Sequence, residues 1–363
     1  MAKRAVGLNT HIWNNNLRCI MLLVLYPFLI MGVFWLIVLA LGAAGSSQRG
    51  AVYSDYSAQI AFANALALDY APLIITGVAI WFTIAWFFNT RMIRKLSHSH
   101  PVARKEEPEL YNLLENLCIS RGMPLPKMEI IETHARNAFA SGISNDNFSV
   151  TVTRGLMNSL AKDELEAVLA HELTHIQNRD VRLLIITIIF TGLFGFLAQL
   201  VWSNIRYSLF FAHRRRDRNG GGAIIAMIII AVILWLGYMA SLIMRFALSR
   251  SREYMADAGA VEMTKNPEAM MRALMRIAGR DQIPQTTDDI AMMCIENHKK
   301  FLGMFATHPP IEKRIKAISE VTNTPIPDSA SLPPIEKEKS FTGKRQKSGE
   351  KRANPWLMSE RRR

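Results

Sequence analysis

Four apolar runs, at about residues 19–41, 71–88, 183–202 and 223–244, are each long enough to cross a hydrocarbon core and predict four membrane helices. Between the second and third runs the pattern becomes that of a folded domain. Leu110, Leu113, Leu114 and Leu117 are spaced for one buried helical face around residues 107–121. After Pro124 and Pro126, residues 127–132 read as extended, followed by Asn137-Ala138-Phe139-Ala140 and the alternating Phe148-Ser149-Val150-Thr151-Val152-Thr153 as strand material. A helix is predicted from near Lys162, with Asp163 and Glu164 set against its dipole and Leu165, Val168 and Leu169 on its buried side.

The second half of that helix reads His171-Glu172-Leu173-Thr174-His175. Histidines four apart project from one helix face, so both imidazoles can reach one tetrahedral zinc ion. Glu172 points aside, where a carboxylate can deprotonate a water instead of ligating the metal. The bland alternative is a polar pair on a solvated face. A third ligand is missing nearby. Downstream of the fourth run, Glu253 and Asp257 share a helix face: Glu253 is the candidate third ligand, and Asp257 a carboxylate that fixes the tautomer of a ligating histidine. By itself such a pair is usually a solvated face. Asp180 is a weaker candidate for the same supporting role, or simply ends the helix before the membrane. The strand just before the metal helix is expected to be an edge that pairs with an extended peptide; Val150 and Val152 as plain sheet core is the alternative.

Composition agrees with a membrane protein. Half of the 363 residues are hydrophobic and the mean hydropathy is positive. The net charge of +13 does not point to nucleic acid, because the basic residues flank the apolar runs and fill the tail. Lys3, Arg4 and Arg18 precede the first run and Arg91, Arg94, Lys95, Arg104 and Lys105 follow the second, placing both on the cytoplasmic side, with a loop at 46–69 outside. The first run exceeds a signal-peptide core and is expected to be an uncleaved anchor. His213 to Arg216 and Arg218 lie between the third and fourth runs, against the charge rule; full spanning is expected, with an interfacial hairpin as the alternative. Cys19, Cys118 and Cys294 form no C-x-x-C pair, so neither a disulfide framework nor a thiolate zinc site is indicated.

Five stretches together resemble the M48 peptidases of the HtpX type, membrane-embedded zinc proteases of bacteria: Glu107 to Tyr111, Asn137 to Ala140, His171 to Asp180, Ser251 to Gly259, and Thr307-His308-Pro309-Pro310 followed by Arg314. The resemblance covers roughly residues 15–320 and implies an α-helical integral membrane protein with a mostly α, small-sheet gluzincin domain. It implies His171, His175 and Glu253 as zinc ligands, Glu172 as general base, and His308 or Arg314 as a stabiliser of the tetrahedral oxyanion. On the residues alone, His308 reads equally as a loop residue and Arg314 as a surface charge.

The expected organisation is a membrane pair in 1–92, a cytoplasmic peptidase domain in 93–180 and 248–322, a membrane hairpin in 181–247, and a disordered basic tail in 323–363 that could rest on an anionic membrane surface. One zinc ion per subunit is expected, in the bacterial inner membrane. The expected partners are the bilayer and protein substrates, above all misfolded membrane proteins in quality control, with self-cleavage included. Three rival readings are a prenyl-peptide processing protease, for which four spans are too few, a scaffold or chaperone with structural zinc, and a metal transporter, which would want ionisable groups inside the spans.

Overall fold

The computed structural model describes residues 8–48, 56–212, 220–246, 251–278 and 309–328. Two long helices open it, α1 (Leu8–Gln48) and α2 (Tyr56–Ser97). Then come β1 (His100–Pro101), α3 (Pro108–Arg121), β2 (Lys127–Ile131), β3 (Ala138–Ser141), β4 (Ser149–Thr153), α4 (Arg154–Ser159) and α5 (Lys162–Gln177). A hairpin of α6 (Asp180–Ala212) and α7 (Gly220–Phe246) is followed by α8 (Ser251–Thr264), α9 (Pro267–Ile277) and α10 (Ile311–Thr322). The basic tail beyond residue 328 and the arginine-rich link at 213–219 lie outside the described residues.

Stretches long and apolar enough to cross a membrane occur in α1 (Ile12–Gly42), α2 (Tyr56–Ser97) and α6 (Asp180–Tyr207), and α7 holds a shorter apolar stretch, Met227–Ser241. Residues 56–69, read from sequence as part of a loop, are the first turns of α2. Alanine at 58, 61, 63, 65 and 67 makes this segment a strong helix former although it is less apolar than the run that follows. Tyr26 of α1 is buried against α6, stacked on Phe190 with ring centroids 3.9 Å apart and donating its hydroxyl to the Phe190 carbonyl. Trp81 of α2 donates to the Ile189 carbonyl at 3.2 Å. Phe28, Leu68, Leu73 and Phe87 stay exposed on the outer faces of α1 and α2, as side chains that meet lipid do.

The sheet has the order β1-β2-β4-β3, with β2 and β4 parallel and the outer pairs antiparallel. The strand just before the metal helix, β4, is therefore interior; among the described residues the edge on that side is β3. The alternation in β4 imitates a half-exposed strand, yet its polar side is buried too. Ser149 Oγ bonds Ser141 Oγ at 2.7 Å, and Thr153 Oγ1 donates to the Ala135 carbonyl at 2.7 Å. Buried hydroxyls with partners are compatible with an interior strand.

The core lies between this sheet, α3 and α5, and it continues into α9 and α10. Fully buried Glu164 anchors α9 to the start of α5. It accepts from the Ala161 N–H at 2.9 Å and contacts Arg276 Nε at 2.8 Å and Arg272 Nε at 3.2 Å. At the other end of the sheet, Arg94 at the close of α2 donates to Glu129 of β2, Nε at 2.9 Å, and Ser99 donates to the same carboxylate at 2.6 Å. Arg94 thus ties the membrane helix to the sheet in addition to contributing surface charge.

Candidate metal centre

Helix α5 carries His171 and His175 on one face, one turn apart, with their Nε2 atoms 3.2 Å apart and their rings nearly perpendicular. Each ring is oriented from behind by a buried carboxylate: His171 Nδ1 lies 3.0 Å from Asp257 Oδ1 and His175 Nδ1 lies 3.1 Å from Asp180 Oδ2. A carboxylate at Nδ1 favours the tautomer protonated there, which leaves both Nε2 lone pairs directed at one point. Glu253 of α8 closes the third side, Oε2 at 3.7 Å from His171 Nε2 and Oε1 at 3.7 Å from His175 Nε2.

One donor atom from each of His171, His175 and Glu253 lies within 4.8 Å of the other two. A tetrahedral zinc site with bonds of about 2.0–2.1 Å holds its donors roughly 3.3 Å apart, so this set fits such an ion with little movement. Two Nε2 atoms 3.2 Å apart need a cation between them, a shared proton or a metal ion. The charge balance points the same way. The buried carboxylates of Glu172, Glu253 and Asp257 act on the Arg314 guanidinium, and a divalent cation would offset the negative charge that it leaves.

Glu172 sits beside the two histidines on α5, and the Ala140 N–H of the edge strand β3 donates to its carboxylate. Burial pushes the Glu172 carboxyl above the usual range and the charge of Glu253 adds to this, while the histidines pull against it. Burial would lower the His175 pKa, but the charge of Glu253 and the hydrogen bond to Asp180 outweigh it and carry the ring up to about 10. His171 is raised in the same way, against burial, by Asp257 and Glu253. Burial would raise Asp257, but the Arg314 charge and hydrogen bonds hold it below the ordinary carboxylate range.

Arg314, on α10, is wholly enclosed. It grips Asp257 with a two-bond fork, Nε to Oδ2 at 2.9 Å and Nη2 to Oδ1 at 2.6 Å, and its Nη2 stands 3.4 Å from His171 Nε2. Asp180 does not end the metal helix, as one reading of the sequence had it: it is the first residue of α6 and turns back to His175. The link from α5 is only Asn178 and Arg179, the latter at φ +63°. His308 lies outside the described residues.

One member of the cluster was not foreseen. Asn15, on α1, is fully buried and donates Nδ2 to Asp180 Oδ1 at 2.7 Å and to the Asn178 carbonyl at 2.9 Å. Its only sequence signal is an Asn14-Asn15-Asn16 triplet ahead of the first apolar run, which reads as an ordinary polar membrane boundary.

Comparison with known proteins adds a second line of observation. The model of peptidase family M48 matches residues 104–322. The chain is 42% identical over 324 residues to a protein named Protease HtpX homolog from Bacteroides fragilis, covering 87% of this chain and 99% of that one. Proteins of the same name from Lactobacillus acidophilus and Listeria monocytogenes are 35% identical over 257 residues and 32% identical over 306 residues; they cover 69% and 81% of this chain and 85% and 95% of their own. Among solved structures, S. mikatae Ste24p aligns with a TM-score of 0.42 at 22% identity, over 69% of this chain and 58% of that chain.

Proposed function

Since the chain belongs to peptidase family M48 and is a membrane-bound metallopeptidase, we propose that it holds zinc through His171, His175 and Glu253 and hydrolyses peptide bonds of membrane proteins at the bilayer surface. The observation that carries this reading is the convergence of two Nε2 atoms at 3.2 Å while both Nδ1 atoms face buried carboxylates. That arrangement suits a divalent cation with imidazole and carboxylate donors.

Zinc, when bound, supplies a water of lowered pKa and polarises the scissile carbonyl. Glu172 takes a proton from the attacking water and returns that proton to the departing amine. Asp257 and Asp180 keep the two imidazoles oriented, and Arg314 fixes Asp257 while bringing a permanent positive charge to the site. The edge of β3 offers a backbone ladder on which an extended peptide can lie beside Glu172.

The substrate class follows from position. Helix α6, which is long enough to span, starts five residues after His175, so the reaction takes place where chains leave the bilayer. The basic end of α2 favours the cytoplasmic face, in a bacterium the inner membrane, and unfolded membrane proteins in quality control are the substrates we favour.

The test is purification in detergent under chelation, zinc addition, and comparison of casein degradation by wild type and Glu172→Gln. The variant should keep zinc and lose turnover by roughly 10²–10⁴-fold, whereas His175→Ala should lose zinc as well. Cleavage by Glu172→Gln at the wild-type rate would remove the assignment.

A further inference from the structure

We infer that Asn15, on the first membrane helix, is a positioning residue of the metal centre: it fixes the Asp180 carboxylate that orients His175, so metal affinity depends on the docking of α1. The inference rests on the reading of His175 as a metal ligand.

The geometry is a three-link chain. Asn15 Nδ2 donates to Asp180 Oδ1 at 2.7 Å, Asp180 Oδ2 meets His175 Nδ1 at 3.1 Å, and His175 Nε2 faces His171 Nε2. The two oxygens of one carboxylate are thus engaged from opposite sides. Rotation that relaxes one bond strains the other, which fixes the plane of the carboxylate and with it the imidazole ring. The second N–H of the same amide goes to the Asn178 carbonyl at 2.9 Å, a group at the C-terminal end of α5. One side chain of α1 therefore holds both the end of the metal helix and the first residue of the hairpin.

Chemistry favours this direction of dependence. An amide N–H aimed at a carboxylate stabilises its ionised form, which is the acceptor that the Nδ1–H of His175 requires. Because Asn15 is fully buried, no solvent substitutes for it when it is removed. Its neighbour Trp13 is 63% exposed on the same helix and touches none of this chain of bonds, which makes it a control for general damage to α1.

The experiment is a double-mutant cycle on the full chain in detergent, with zinc affinity read by competition with a chromophoric chelator and ligand geometry by the visible absorption of the cobalt-substituted protein. Removing a carboxylate behind a ligating histidine weakens metal binding about 10–100-fold, and that is the loss expected for Asp180→Ala. Asn15→Ala, one bond further out, should weaken zinc about 3–10-fold and alter the cobalt spectrum. It should cost nothing further in the Asp180→Ala background. Trp13→Ala should bind as wild type. Wild-type affinity and spectrum in Asn15→Ala, or a loss that adds to that of Asp180→Ala, would overturn the inference. If Asn15→Ala does not accumulate folded, Asn15→Ser carries the same cycle. Wild-type protein that binds no zinc would instead sink the metal centre itself.

Discussion

Gly259 of α8 lies against Thr174 of α5 so closely that a Cβ at position 259 would stand 2.4 Å from Thr174 Cγ2 and 2.8 Å from its Oγ1. Thr174 sits between His171 and His175, and Gly259 lies two residues beyond Asp257. This contact sets how near Glu253 and Asp257 come to His171 and His175. Gly259→Ala should push the two helices apart, cost about 1–3 kcal/mol and weaken zinc binding. Thr174→Ala removes the colliding atoms, so the double variant should regain both thermal stability and zinc affinity. Its hydroxyl bonds only within its own helix, to the Ala170 carbonyl at 2.8 Å, so no partner on α8 is stranded. A Gly259→Ala protein with unchanged melting and unchanged zinc affinity would show that this approach is not limiting.

Arg314 invites a measurement that separates two roles. Since its fork on Asp257 is fully buried, Arg314→Met leaves that carboxylate with His171 alone, and the expected cost is about 3–5 kcal/mol of stability together with weakened zinc binding. Arg314→Lys keeps the charge without the fork and should recover only part of each. A variant with full zinc affinity, unchanged melting and a reduced kcat would move Arg314 from support of His171 to stabilisation of the oxyanion.

Part of the alkaline limb of stability is expected to arise on α3, away from the metal centre. Burial pushes the Cys118 thiol, on α3, up to about 11, with Glu115 adding to the shift. The folded-state pKa is raised above the unfolded value of 9.0. The stability held by the neutral thiol is therefore complete below pH 9 and is lost as pH rises toward 11, at a slope of about 1.4 kcal/mol per unit. Cys118→Ala should flatten that limb while leaving the neutral-pH cleavage rate unchanged. A limb of the same slope in the variant would assign it to other groups.

What was legible in the sequence was local. Helices α3 and α5 show in their apolar spacing, and two histidines four apart share a face by helical geometry alone. Glu253 and Asp257 could be paired with each other for the same reason. Contacts between distant segments leave no such periodicity. Asn15 meets Asp180 across 165 positions and Arg314 meets Asp257 across 57, and each of these residues alone reads as an ordinary boundary amide or surface charge. The order of the sheet was hidden for another reason. Alternation reports whether side chains differ between faces, not whether a strand has neighbours on both sides, so interior β4 imitated an edge.

The short joint between α5 and α6 limits how this chain can vary. Residues 176–179 span the interval from His175 to Asp180, and Arg179 already occupies a left-handed conformation that non-glycine residues adopt at some cost. One residue inserted there should carry Asp180 away from the imidazole. Exposed junctions ordinarily tolerate insertions; this one is expected not to. The step from His175 to the start of α6 is thus a fixed length, and the cluster around His175 is held at one distance from the hairpin.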